Sequence, residues 1–78
     1  DVDAEKLMQA FGQRDMPAIA HLSHRIKGAC GFIGATGLAS VCSMIEHAGR
    51  KGDESAIDWL METFRSELEQ LNAHLDAA

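Results

Sequence analysis

Tyrosine is absent from this chain, proline occurs once, and only one tryptophan and three phenylalanines are present. With so few breakers, long stretches of Ala, Leu, Glu, Met and Gln run uninterrupted and favour helix. With neither an aromatic platform nor a basic stripe, nucleic acid is excluded as a partner. No run of about 18 apolar residues occurs and no signal-peptide pattern opens the chain, so nothing here crosses or directly contacts a membrane. The two cysteines, Cys30 and Cys42, form neither a disulfide framework nor a metal spacing. Both read as buried, reduced core fillers, which suits a reducing cytoplasm.

What remains is compact. Residues 1–78 make one small domain, and 46% hydrophobic residues is ordinary for a globular protein. The chain opens at Asp1 without Met, as expected of a domain excised from a longer parent that can itself be a membrane protein.

Four helical segments follow from 3–4 apolar spacing. The first runs from Asp3 as N-cap to Phe11, with Leu7, Met8 and Phe11 on one face and Gly12 as the stop. Asp15 opens the second, with Pro17 in its first turn, and it ends near Ile33 before a Gly34-Ala35-Thr36-Gly37 turn. The third carries Leu38, Val41, Cys42, Ile45 and Ala48 and ends in Gly49-Arg50-Lys51-Gly52. Asp53 caps the fourth, whose stripe is Ile57, Leu60, Met61, Phe64, Leu68, Leu71 and Leu75, with Trp59 off it. Short links between helices predict an all-α fold, an antiparallel up-down-up-down four-helix bundle.

The second segment sorts into two faces at about 100° per residue. Ile19, Leu22, Ile26, Ala29 and Ile33 form the core stripe. His24 lies almost opposite, with Lys27 and Gly28 beside it at i+3 and i+4 and with Ala20 and Gly31 on the same side. Gly28 and Gly31 each cost about 1 kcal/mol in a helix interior, with no packing reason on an exposed face. Clearance for a partner supplies one. Residues 14–51 carry a local +3, whereas the first thirteen residues sum to −2 and the last twenty-seven to −6. The basic region is the one holding His24, and it favours an acidic protein surface, with charge assisting encounter.

Ala20-His21-Leu22-Ser23-His24-Arg25-Ile26-Lys27-Gly28-Ala29-Cys30, followed by Ile33-Gly34-Ala35, Leu38, Val41-Cys42 and Ile45-Glu46, resembles a histidine-containing phosphotransfer (HPt) domain. The likeness is close over residues 15–52 and rests on helical pattern alone in the flanks. It implies a carrier of a multistep phosphorelay, from a hybrid sensor histidine kinase, that accepts a phosphoryl group from a receiver-domain aspartate and passes it to another receiver. The acceptor would be His24. Lys27 would offset phosphoryl charge, Gly28 would admit the receiver, and Glu46 would hold the other ring nitrogen. Ala20, His21, Arg25 and Gly31 would complete the partner-binding face. No acidic cluster suited to Mg²⁺ lies beside His24, so the domain has no cofactor of its own and the receiver would bring the metal. A monomeric cytoplasmic carrier without turnover is the expectation.

His21 also leans outward, but it lacks a lysine at +3 and a glycine at +4. A metal site built from His21, His24, His47 and His74 is disfavoured, because the helix-two histidines face outward and no inward Glu-x-x-His pairs exist. A non-catalytic interaction or dimerisation module would use the Gly28/Gly31 face and leave His24-Lys27 a coincidence. The dimerising histidine region of a kinase would need an acidic residue and then Arg/Thr-Pro after its histidine, which this chain lacks.

Overall fold

The computed structural model describes residues 2–77, with side chains described through residue 73. Four helices fill it: α1 Val2–Gly12, α2 Met16–Ile33, α3 Thr36–Lys51 and α4 Glu54–Ala77, with no strand among the described residues. Two- and three-residue links hold successive helices antiparallel. α2 packs against α1 and α3, and α3 packs against α4. The molecule is 38 Å long and 19 Å across, and α4, at 24 residues, runs its length at about 36 Å.

Local chemistry sets the boundaries. The Asp15 carboxylate accepts the Ala18 N–H at 3.3 Å, and Pro17 sits in the opening turn, where no N–H is needed. Asp53 does the same for Ala56 at 3.1 Å. Gly34 ends α2 at φ 70°, a left-handed conformation that costs other residues about 1–2 kcal/mol. Arg14 is the one non-glycine residue at positive φ, 55°, among the described residues. Its strain is offset by what it reaches. The guanidinium lies 4.9 Å from the Phe11 ring centroid and 2.6 Å from Asp58, which ties the α1–α2 turn to the start of α4.

The core is mostly aliphatic around one buried aromatic, built from Leu7, Ile19, Ile26, Leu38, Val41, Ile45, Ile57, Leu60, Met61 and Phe64, with both cysteines buried among them. Leu68 and Leu71 pack half-buried against it, while Leu75 and His74 lie outside the described side chains. Trp59 is largely exposed.

Four expectations need correction. Asp3 is not the N-cap of α1 but lies inside its first turn, because the helix already includes Val2. Ile33 is 61% exposed and Ala29 is exposed, so the apolar stripe of α2 does not bury along its whole length. The reason is reach: α1, at 11 residues, spans only about 16 Å, and its Asp3 already pairs with Arg25. The last two turns of α2 run on past it. The turn after α2 is also shorter than predicted, because Thr36 and Gly37 belong to α3. Finally, Gly49 does not terminate α3. It is buried inside the helix, which continues to Lys51.

α3 has neither a side-chain cap nor an acid in its first turn. Glu67 of α4 supplies the anion instead, its carboxylate lying so close to Gly37 that a Cβ there would meet Oε1 at 2.5 Å.

Candidate functional site

Residues whose numbers sum to about seventy stand level across the α2–α3 hairpin, because its turn is centred on Gly34 and Ala35. Ala20 faces Gly49, and His24 faces Glu46, 22 positions away. Gly49 allows the close crossing, since a Cβ there would lie 3.1 Å from the Ala20 nitrogen. The hairpin thereby brings an exposed imidazole over a buried carboxylate.

Glu46 is the centre of the arrangement. It is 7% exposed, and three cationic or polar groups converge on it. His24 Nδ1 lies 3.3 Å from both carboxylate oxygens. Lys27 Nζ donates to Oε1 at 3.1 Å, and the Arg50 guanidinium, one turn along α3, pairs with Oε2. The Lys27 hydrogen bond does most to hold the Glu46 carboxyl below the usual carboxylate range; burial opposes it, and His24 and Arg50 reinforce it. A carboxylate only accepts, so the Nδ1 contact requires the hydrogen on that nitrogen. In the neutral ring the lone pair is then on Nε2, at the outer side of a side chain that is 61% exposed.

The surroundings of the ring are bare. A Cβ added at Gly28 or Gly31 would meet nothing within 4 Å. His21 is exposed and, with Pro17, Ala20, Gly49 and Arg50, lines a shallow cavity of about 410 Å³. Arg25 is exposed and pairs with Asp3 at 3.5 Å. Ala20 departs from expectation: it is 7% exposed, covered by the crossing of α3, and belongs to the floor of the cavity rather than to an open face.

Two residues were missed. Arg50 was legible in principle, standing at i+4 from Glu46 on the same helix. Phe32, 94% exposed, stands four residues beyond Gly28 on the side of α2 that carries His24. Among the described residues, no group of three or more His, Cys, Asp or Glu side chains is arranged to hold a metal ion.

The family model of the Hpt domain matches residues 1–77. The chain belongs to the Hpt family. No curated protein and no solved structure matches it significantly. Hpt domains are helical bundles that act in histidine phosphotransfer within phosphorelay signalling, where they interact with receiver domains. In this Hpt domain no helix among the described residues is long and apolar enough to cross a membrane.

Proposed function

We propose that His24 is the phosphoryl acceptor of this Hpt domain and that it carries the group between the aspartates of two receiver domains. The observation that carries this reading is the exposed ring whose inner nitrogen rests on the buried Glu46 carboxylate. Glu46 is the holder: it keeps the hydrogen on Nδ1 and turns Nε2 outward, the way a second group orients other functional histidines.

The phosphoryl group passes between the His24 ring and the receiver aspartate. The Nε2 lone pair attacks phosphorus as the P–O bond to the receiver aspartate breaks, and the aspartate leaves as carboxylate. The ring keeps its Nδ1 hydrogen and becomes an N-phosphorylated imidazolium. Glu46 stands against that new positive charge, and Lys27, beside the ring at i+3, is the cation for the phosphoryl oxygens. Such transfer depends on in-line positioning and charge neutralisation.

Mg²⁺ enters with the receiver, because transfer concentrates charge at the receiver's aspartate and no metal-holding group lies beside His24 among the described residues. Gly28 and Gly31 give the receiver its approach, with His21 and Arg25 at the edges. The basic character of residues 14–51 fits an acidic receiver surface in the cytoplasm.

The test is incubation with a phosphorylated receiver and Mg²⁺. Acid-labile, base-stable label should appear on wild type and vanish in His24→Gln. Label on both proteins would move the acceptor, with His21 next in line. Receiver binding without label on either would make this a docking module.

A further inference from the structure

Lys27 is already occupied. Its ammonium donates to Glu46 Oε1 at 3.1 Å, yet the carrier reading asks it to meet the incoming phosphoryl group. Removing Lys27 from a carboxylate whose side chain is 9% exposed would leave a nearly buried charge short of one of its two cationic partners, which is costly. The other oxygen resolves the difficulty.

We propose that Arg50 is a positioning residue that releases Lys27 for the phosphoryl group. This rests on His24 being the acceptor. The two cations divide the carboxylate between them, Lys27 on Oε1 and Arg50 on Oε2, with His24 Nδ1 at 3.3 Å from each oxygen. They are suited to different parts. Lys27 is a point charge on a flexible stem with three rotatable donors, able to swing. Arg50 is held at i+4 on the helix of Glu46 itself, and its planar guanidinium keeps a carboxylate in register.

The charges then sort cleanly. Before transfer, Glu46 is shared by Lys27, Arg50 and the neutral ring. As the Nε2–P bond forms, the ring turns cationic and binds Glu46 more strongly, Arg50 remains on Oε2, and Lys27 is free to cross to the phosphoryl oxygens. Afterwards every anion has a counter-charge, and Glu46 has not moved from Nδ1. Without Arg50, Lys27 stays on the carboxylate while the ring charge is still developing, and the transition state lacks its cation.

The probe is potassium phosphoramidate, which labels histidine without a receiver and so isolates the acceptor from docking. Arg50→Gln should slow labelling of His24 by roughly tenfold, and Arg50→Lys should restore most of the rate. In a Glu46→Gln background the same Arg50→Gln change should have no effect, because a neutral amide needs no counter-ion. The Arg50 side chain is 69% exposed although its partner is buried, so helix content should be unchanged and melting only slightly lowered, and both are measured alongside. A wild-type rate in Arg50→Gln overturns the proposal, as does an equal loss in both backgrounds, which would mean direct contact with phosphate. Label that persists in His24→Gln instead overturns the acceptor assignment, and this proposal with it.

Discussion

Gly49 of α3 lies against Ala20 of α2 with less than ordinary contact space for a methyl group. A Cβ at position 49 would come 3.1 Å from the Ala20 nitrogen, 3.2 Å from its Cβ and 3.2 Å from the Met16 carbonyl oxygen. Two of these atoms are backbone and cannot turn aside. Gly49→Ala should therefore cost about 1–3 kcal/mol by overpacking, although alanine is the better helix former by about 1 kcal/mol. Urea unfolding measures it. A variant as stable as wild type would mean that the helices slide apart freely.

The opposite sign is expected one turn beyond His24. Gly28→Ala places its methyl group in open space, so helix propensity alone acts and stability should rise by about 0.5–1 kcal/mol. Transfer from a receiver should slow, while labelling by phosphoramidate should not. Such a trade of stability against use is common at functional surfaces. Equal receiver kinetics in the two proteins would remove the clearance role of Gly28.

Acid should weaken the α2–α3 seam through Glu46. Its folded-state carboxyl is held low, chiefly by the Lys27 hydrogen bond. Its contribution to stability is therefore complete above the unfolded-state value of about 4.3 and is lost as pH falls through the lower folded-state value. Melting curves of wild type and Glu46→Gln should keep a constant separation near neutrality, and wild type should lose ground below about pH 4. A separation that ignores pH down to the acid limit of folding would contradict the ion-paired carboxylate.

The thiols should be inert in the folded protein. Cys42 is pushed up to about 12, first by burial and then by Cys30 beside it, with Lys27 pulling weakly the other way. Cys30 is raised by burial. At pH 8 an aromatic disulfide reagent finds almost no thiolate, so its reaction should track the loss of helix in urea. Rapid stoichiometric modification of the native protein would refute the core-filler role of both.

Much of this was legible because it is local. Asp15 with Pro17, Gly34, and Gly52 with Asp53 mark their helix ends through contacts made within a few residues. The pairing of His24 with Lys27 and Gly28 is equally a matter of position on one helix. Glu46 came only through resemblance, since nothing in its own helix says which side chain will sit beneath an imidazole on another. Ala20 and Ile33 were misjudged for a shared reason. One helix wheel cannot show that α3 crosses closely enough to cover Ala20, or that α1 is too short to cover Ile33. Arg50 escaped because a cation near a helix end has an ordinary explanation in the dipole, and its real partner was itself uncertain.

The His24 ring, the Glu46 carboxylate and both cations all belong to a single hairpin closed by Gly34 and Ala35. Fraying at the ends of α1 or α4, the usual first openings in a helical domain, therefore bypasses them. Hydrogen exchange near His24 and Glu46 should follow global unfolding rather than those early events. A site made this way keeps its geometry apart from the two ends of the domain.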